Sequence, residues 1–374
     1  MSFYPLVFMV ALLHAFVGWR LAADLAAPWG WVLGVGLVVS AVLMPLGLVA
    51  SRIARQPWAD TLSWVGLLLM GLFSSLFVLT VLRDVLLLAV WVIDTFGGVV
   101  PQASWRTLSA EVTPLLALGI TAVGFLNARR TPAVVRIDVP IKGLPAALHG
   151  FTLAQISDIH VGPTIKHAFL QRIVATVNTL GADLVAITGD LVDGKVAELA
   201  GHVAPLAGLQ SRHGTFFVTG NHEYYSGAHA WIAELRRLGL TVLMNEHVVL
   251  DGALVLAGVN DFTAHHFDAT HRSDPAQAML GAPTSSAVRV LLAHQPRSAQ
   301  AALDAGFDLQ LSGHTHGGQF WPWNLFVPLQ QPFTAGLNRL GALWIYTSRG
   351  TGYWGPPKRF GAPSEITALR LVVG

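Results

Sequence analysis

The apolar first third of this chain constrains its fold more than any other feature. A bilayer core about 30 Å thick is crossed by a helix of roughly 20 apolar residues. Only ten charged residues precede Asn127 in the 374-residue sequence. Four stretches satisfy this length and composition, and they predict four membrane-spanning helices: Phe3–Leu21, Trp29–Ala50, Leu62–Leu82 and Leu108–Leu126.

The third apolar pattern continues past its charges. It runs through Arg83 and Asp84 to Ile93, which is too long for one span and too short for two. We interpret it as one helix that extends beyond the hydrocarbon core of the bilayer. Arg83 and Asp84 would then lie close to an interface, where they can pair or snorkel. A functional charge pair inside the membrane is the alternative.

Basic residues between the spans indicate an orientation. Arg52 and Arg55 lie between the second and third spans, and Arg129 and Arg130 follow the fourth. The positive-inside rule places both clusters in the cytoplasm, so we expect an inner (plasma) membrane protein whose residues after Asn127 are cytoplasmic. The first apolar run has no preceding Lys or Arg, and three more spans follow, which favours a retained span over a cleaved signal peptide.

Composition excludes several functions for the rest of the chain. The net charge is +2 and no Lys/Arg run resembles a nucleic-acid footprint, so no nucleic-acid partner is predicted. The absence of cysteine removes disulfides, thiolate ligands and a cysteine nucleophile. The sequence predicts two domains: residues 1–130 within the membrane and residues 131–374 outside it.

The second domain alternates short strand patterns with helix patterns. Helical periodicity occurs at Ile165–Leu180, Ala228–Leu238 and Ser298–Ala305. Such alternation predicts an α/β domain, whose ligands gather beyond the carboxyl ends of strands. The predicted strands are Val134–Val139, Thr152–Ile156, Leu184–Thr188, Thr215–Thr219, Leu254–Val259, Val288–Ala293, Leu309–Ser312, Leu343–Thr347 and Ile366–Val372.

Five of these strands run into residues of the kind that bind metals. Any one fragment alone is explained by a turn, a cap or a packed histidine. Together they supply carboxylate, imidazole and amide groups that can hold two metal ions, a recurrent arrangement for phosphate-ester hydrolysis. The fragments are Asp158-Ile159-His160, Gly189-Asp190-Leu191-Val192-Asp193, Gly220-Asn221-His222-Glu223, His294 and Gly313-His314-Thr315-His316.

This ordered set resembles the calcineurin-like metallophosphoesterases, whose pattern is D-x-H, G-D-x-x-D, G-N-H-(D/E), H and G-H-x-H. The match covers roughly Phe151 to His316. The Gly-Gly-Gln after the last histidine, the four spans and the Arg349–Ile366 tail resemble a bacterial membrane-attached branch of that family. The resemblance implies a four-layer α/β/β/α sandwich, here preceded by the four-helix transmembrane domain, and a metal-dependent phosphoric ester hydrolase.

The resemblance also implies a role for each motif residue. Asp158, His160 and His316 would hold one metal. Asn221, His294 and His314 would hold the other, and Asp190 would bridge both. His222 resembles the family's catalytic histidine.

The chemistry of these residue types agrees with those roles. Oxygen and nitrogen ligands without thiolates suit Mn²⁺, Fe or Zn²⁺. His222 can donate a proton to a leaving group. Asp193 and Glu223 are expected either to orient the ligand side chains or to cap helices.

The substrate is less constrained. We expect a phosphodiester or pyrophosphate in a lipid-linked molecule, such as the UDP-diacylglucosamine that some family members cleave. A phosphodiesterase or phosphatase for soluble nucleotides and a non-catalytic membrane scaffold are the alternatives. The oligomeric state is not predicted.

Three further segments have open interpretations. The aromatic, proline-rich Gln319–Pro328 either dips into the membrane interface or packs as an ordinary loop. Arg349, Lys358 and Arg359 either contact a second phosphate or are solvated. The histidine-rich Asp261–His271 either caps the site or is a solvated loop.

Overall fold

The structure is a computed structural model that describes residues 4–97, 102–283 and 288–374. It divides into two compact units. One comprises the chain up to Leu126 together with Gly355–Lys358, and the other comprises Asn127–Trp354 and Arg359–Gly374. Phe3, the first residue of the first predicted span, lies outside the described residues.

The first unit is helical. Four of its helices are long and apolar enough to cross a membrane, so the four predicted spans are confirmed as helices. The 38-residue α4 is about 57 Å long at 1.5 Å per residue, well beyond the bilayer core, which confirms one long helix through Ile93. The helices are α1 (Tyr4–Ala22), α2 (Ala27–Leu48), α3 (Ala50–Ile53), α4 (Trp58–Thr95) and α5 (Gln102–Arg129).

The charged residues of α4 are paired. Arg83 is buried and forms an ion pair with Asp24, while it donates to the carbonyl of Arg20 at 2.7 Å. Arg20 binds the carboxylate of Asp84 through both Nε and Nη2, at 2.8 Å each. Because Arg83 and Asp84 each meet an opposite charge at or just beyond the end of α1, the expected pairing is confirmed, while their place near a membrane interface stays a prediction.

The first unit also contains a short segment from far along the sequence. Lys358 is fully buried, and its Nζ donates to the Gly71 carbonyl (2.8 Å), Ser75 Oγ (2.5 Å) and Thr121 Oγ1 (3.2 Å). Both expectations for Lys358, solvation and a phosphate contact, are therefore wrong. Its ammonium group satisfies polar atoms of α4 and α5 instead.

The second unit is built on two six-stranded sheets. Their strand orders are β1-β12-β2-β3-β4-β5 and β10-β11-β9-β8-β7-β6. Strands β2 to β5 of the first sheet are parallel to one another, and so are β7, β8, β9 and β11 of the second. The strands are β1 (Ala133–Ile141), β2 (Thr152–Ile156), β3 (Leu184–Ile187), β4 (Thr215–Phe217), β5 (Thr241–Val242), β6 (Glu246–Leu250), β7 (Leu254–Gly258), β8 (Val288–Leu292), β9 (Leu309–Ser312), β10 (Gly336–Leu340), β11 (Leu343–Thr347) and β12 (Glu365–Val373).

The two sheets pack face to face with helices outside. Leu153 and Leu184 of the first sheet share a core with Leu256 and Leu311 of the second. The next residue along β2, Ala154, faces the helical layer instead, as the two-residue period of a strand requires. The predicted four-layer sandwich is therefore confirmed. Its helices are α6 (His167–Asn178), α7 (Val196–Val203), α8 (Asn221–Ser226), α9 (Ala228–Arg237), α10 (Pro275–Ala278) and α11 (Ala299–Asp304).

Candidate metal centre

Loops at the carboxyl ends of strands from both sheets carry the predicted site residues. Asp158 and His160 follow β2, and Asp190 follows β3. Because neighbouring parallel strands end at the same edge, their following loops meet there. The remaining members follow β4, β8 and β9: Asn221, His222, His294, His314 and His316.

Five of these residues have a backbone conformation that side-chain-bearing residues rarely adopt. Their φ angles are +53° for Asp158, +56° for His160, +51° for Asp190, +69° for His314 and +51° for His316. The left-handed region costs a non-glycine residue roughly 1–2 kcal/mol. Such strain persists where the surrounding structure enforces it, and it is typical of functional sites.

Two glycines of the motifs are required by close packing. A Cβ atom at Gly220 would overlap the carboxylate of Asp190, and one at Gly313 would overlap the carboxylate of Asp158. Each glycine therefore allows one loop to approach an aspartate that another loop carries.

One cluster within the site consists of Asp158, His160 and His316. Nε2 of His160 lies 3.1 Å from Nε2 of His316, which lies 3.4 Å from Oδ1 of Asp158. All three side chains are buried. Two imidazole nitrogens and a carboxylate oxygen so close together can bind one divalent cation.

A second cluster consists of Asp190, His294 and His314. Nε2 of His294 lies 3.1 Å from Oδ2 of Asp190 and 3.2 Å from Nδ1 of His314. The other nitrogen of His294 donates to the carbonyl of Thr188 at 2.7 Å, which directs Nε2 into the site. This cluster can bind a second cation.

Asn221 carries an unsatisfied polar atom. Its side chain is buried, yet Oδ1 accepts no hydrogen bond from any residue that the structure describes. A buried amide oxygen without a partner costs about 1–3 kcal/mol. A cation in the site would remove that cost, so the donor set fits bound metal.

Asp190 lies between the two clusters. Its Oδ2 is 3.1 Å from His294 Nε2 in one cluster and 3.9 Å from His160 Nε2 in the other. Burial alone would raise the pKa of Asp190, but His294, His222 and His160 outweigh it and lower that pKa well below the usual value. The carboxylate is therefore ionised and accessible to both clusters.

Two of the histidines are held neutral. Burial and the adjacent His294 lower the pKa of His314 to about 3. Burial, together with the Arg359 guanidinium, lowers the pKa of His316 well below its usual value. Neutral imidazole is the form that binds metals.

His222 lies beside the clusters with its ring held by Asp193. Nδ1 donates to Asp193 Oδ1 at 2.6 Å, and Nε2 points toward Asp190 Oδ2 at 4.0 Å. Burial alone would lower the pKa of His222, but the hydrogen bond to Asp193 and the charge of Asp190 raise it to about 9. His222 is therefore protonated at neutral pH.

Asp193 and Glu223 differ in what they hold. Asp193 Oδ1 accepts from both His222 and His160 Nδ1 (3.0 Å), so it orients imidazoles as expected. Glu223 fulfils the second expectation, because it caps α8 by accepting from the backbone N–H of Gly220 at 2.6 Å. It also accepts from the backbone N–H groups of Asp190 (3.0 Å) and Leu191 (2.8 Å), and so joins two loops.

Arg359 is a site residue whose role the sequence did not indicate. Its guanidinium is buried, donates to the carbonyl of His316 at 2.9 Å and lies 3.1 Å from His316 Nδ1. The expectation of a solvated or phosphate-binding Arg359 is wrong, because its donors are occupied inside the protein. Arg349, by contrast, forms a half-buried ion pair with Glu365 at 2.9 Å.

Exposed aromatic rings surround His222. Tyr225 and Trp354 have ring centroids 5.1 and 5.6 Å from that of His222. Phe267 packs on Tyr225 at 5.5 Å. These three side chains, which we call the aromatic rim, are 61%, 55% and 54% exposed.

The chain is similar to known proteins over much of its length. The model of the calcineurin-like phosphoesterase family matches residues 151–318. A transmembrane protein with metallophosphoesterase domain from Bos taurus is 41% identical over 284 residues, covering 71% of this chain and 64% of that protein. The protein of the same name from Danio rerio is 40% identical over 272 residues, which cover 69% of this chain and 62% of that protein.

A bacterial relative is similar over a larger share of its length. An uncharacterized metallophosphoesterase of Helicobacter pylori strain J99 is 40% identical over 263 residues, which cover 69% of each protein. The chain spans less than two thirds of the two animal relatives. On this similarity, the chain belongs to the calcineurin-like metallophosphoesterase family.

Proposed function

We propose that this chain is a membrane-anchored hydrolase that uses two divalent metal ions to cleave a phosphodiester or pyrophosphate bond. Residues 1–130 form the anchor and residues 131–374 the catalytic domain. The convergence of two His/Asp clusters on the ionised Asp190, beside an unsatisfied Asn221 amide, is the observation that carries this proposal.

The ligand assignment follows the two clusters. Asp158, His160 and His316 would hold one ion, while Asn221, His294 and His314 would hold the other. Asp190 would contribute to both. The ligands are nitrogen and oxygen atoms only, a set that suits Mn²⁺, Fe or Zn²⁺.

The protein's own groups have separate tasks in the reaction. Bound divalent ions supply activation of water and neutralisation of phosphate charge. His222 carries the proton that the leaving oxygen needs, on Nε2, since Asp193 accepts the Nδ1–H. Asp193 accepts from Nδ1 of both His222 and His160, so it orients the ring of the acid and the ring of one proposed ligand.

An amphiphilic substrate accounts for the surface near these loops. The segment after His316 forms 3₁₀ turns at Trp323–Leu325 and Val327–Leu329. Its exposed apolar side chains form a patch, which we call the apolar patch, where acyl chains can remain in a membrane interface while the headgroup reaches the site. The patch comprises Trp323, Leu325, Phe326 and Leu329. A lipid-linked diphosphate of the UDP-diacylglucosamine type has this chemistry.

A soluble nucleotide is the second candidate substrate. Tyr225 and Trp354 of the aromatic rim expose ring surface beside His222, and aromatic rings stack on bases for about 1–3 kcal/mol each. A non-catalytic scaffold is disfavoured because every predicted ligand and His222 are present together.

The anchor sets where the reaction takes place. Arg52, Arg55 and Arg129 flank the helices on one side of the predicted topology, which favours a cytoplasmic catalytic domain in the inner membrane. A reporter fused after Gly374 should behave as cytosolic, whereas a periplasmic signal would reverse this orientation.

Purified full-length protein in detergent tests the proposal. Turnover of a detergent-dispersed lipid diphosphate is compared with turnover of a soluble nucleotide diester, with and without Mn²⁺. We expect metal-dependent hydrolysis of the lipid diphosphate at the higher kcat/KM. Hydrolysis of neither class in any metal would contradict catalysis, while preference for the nucleotide would contradict only the lipid assignment.

A pair of matched variants sharpens the substrate test. Leu325→Ser/Leu329→Ser should raise KM for the lipid diphosphate at least several-fold and leave the nucleotide unaffected. Leu280→Ser is the control, because Leu280 is comparably exposed outside the apolar patch. An equal rise in KM for the lipid diphosphate in the patch variant and in Leu280→Ser would show that the apolar patch does not bind the substrate.

A further inference from the structure

A second group of metal-binding side chains lies outside the candidate centre. His229 on α9 meets Asp268 and His271 of the segment Asp261–His271, which we call the histidine loop. The sequence left this loop either as a cap or as solvated. His271 is in fact largely buried, with 13% of its side chain exposed, whereas His229 is 74% exposed.

The ligand atoms of the three side chains all lie within 4.8 Å of one another, close enough to converge on one ion. Oδ2 of Asp268 is 3.0 Å from His229 Nε2 and 3.9 Å from His271 Nε2. Two ligands of a tetrahedral Zn²⁺ are separated by roughly 3.3 Å, given Zn–N and Zn–O distances of about 2.0–2.2 Å. One of the two observed distances is shorter than that value and the other is longer. Rotation of the side chains would bring the three ligand atoms to tetrahedral spacing.

Other groups direct these ligand atoms toward each other. Oδ1 of Asp268 accepts from the N–H and the hydroxyl of Thr270, at 2.9 and 2.6 Å, which leaves Oδ2 for the ion. Nδ1 of His271 lies 2.9 Å from the Tyr224 hydroxyl, so Nε2 is the nitrogen that faces Asp268. Outer contacts of this kind are typical of metal-binding histidines and carboxylates.

The histidine loop adjoins residues that line the catalytic site. Phe267, between the turns of the loop, packs on Tyr225, whose ring contacts His222. An ion bound by His229 and the loop would join α9 to the loop and restrain the position of Phe267.

From this geometry we propose a peripheral divalent-metal site formed by His229, Asp268 and His271, with an open fourth position for water. Its ligand is a transition-metal cation that favours imidazole, Zn²⁺ above all. Binding fastens the histidine loop to α9 and orders this side of the aromatic rim. The site does not depend on the proposed hydrolase function, since it shares no ligand with the candidate centre.

Zinc stoichiometry and hydrogen exchange test the site. Full-length protein in detergent is dialysed against Zn²⁺, and bound zinc is counted for the unchanged chain and for His229→Ala/His271→Ala. We expect one zinc fewer per chain in the double variant. Zinc should also slow amide exchange across residues 261–271 in the unchanged chain only.

The controls isolate the site from other histidines and from the candidate centre. His265→Ala/His266→Ala removes two imidazoles of the same loop and should retain the extra zinc. His229→Ala alone, at an exposed position, covers the event that loss of His271 prevents folding. The loss of one zinc per chain should also be seen when the histidine changes are made in the Asp190→Ala variant, in which the candidate centre is disabled. Equal zinc counts with and without His229, or loop exchange that zinc leaves unchanged, would overturn the proposal.

Discussion

The candidate centre and the histidine-loop cluster use the same residue types but hold them differently. In the centre, five ligand candidates have left-handed backbone conformations, and glycine loops pack against two of the carboxylates. In the loop cluster, His229 is largely exposed and Asp268 is held mainly by Thr270. We therefore expect the strained, buried framework of the centre to hold its geometry without metal, and the loop cluster to be ordered only by a bound ion.

The largest expected effect comes from removing the shared carboxylate of the centre. Asp190→Ala should reduce kcat by about a thousandfold or more, because the activation supplied by both ions depends on it. Bound metal should fall at the same time, as measured by elemental analysis. Full turnover with unchanged metal content would show that Asp190 does not bridge.

A glycine substitution tests whether the rigid framework matters. Gly220→Ala should place a methyl group against the Asp190 carboxylate and backbone, lowering the free energy of unfolding by about 1–3 kcal/mol and reducing metal content. Gly227→Ala is the control, since its Cβ meets no atom within 4 Å and only the φ of +99° is strained. Equal loss of metal in both variants would mean that general destabilisation, not the overlap, is responsible.

His222 should affect turnover without affecting the metal. His222→Ala removes the proton donor and should lower kcat about 10²–10⁴-fold, with the metal content of the unchanged chain. If the variant loses metal instead, His222 is a ligand and the reaction needs another acid.

The pH profile should report the same proton. The hydrogen bond to Asp193 raises the pKa of His222 above its ordinary value, so the active protonated form is present at neutral pH and is lost as the pH rises through that pKa. The rate should therefore fall on the basic side of the profile, by about tenfold per pH unit above the pKa of His222. His222→Asn should abolish this basic limb, and its persistence in that variant would assign the limb to another group.

The smallest effect is expected from the loop cluster. His229→Ala should change zinc-free hydrolysis with Mn²⁺ by no more than about twofold, because exposed positions away from the chemistry contribute little. The measurement is kcat/KM before and after zinc addition. A large loss of kcat/KM in the absence of zinc would show that His229 takes part in catalysis. The two clusters would then not be functionally separate.

Strong periodic patterns made most of the fold predictable. Apolar runs of about 20 residues predicted the four long helices. Short apolar runs predicted the buried strands β2 and β9 with the bounds that they have in the structure. The edge strands β6 and β10 were missed because they are partly exposed and lack an apolar run. The two-residue β5 is too short to give a pattern.

The site was predictable only where ligands follow strands. Six of the seven predicted ligands fall into the two clusters, and the seventh, Asn221, follows Gly220, which packs against Asp190. The role of Arg359 could not be predicted, since this residue lies in an irregular tail and reaches His316 only through the tertiary fold. The loop cluster was hidden for a similar reason: His229 and Asp268 are 39 positions apart with no shared motif.

Electron paramagnetic resonance of the Mn²⁺-loaded full-length protein tests the central claim most directly. Two ions bridged by Asp190 should lie about 3.5–4 Å apart and give a spin-coupled spectrum. Asp190→Ala should convert that spectrum to one of isolated ions or remove it. Two uncoupled Mn²⁺ ions, or a single ion, in the unchanged chain would contradict a binuclear centre.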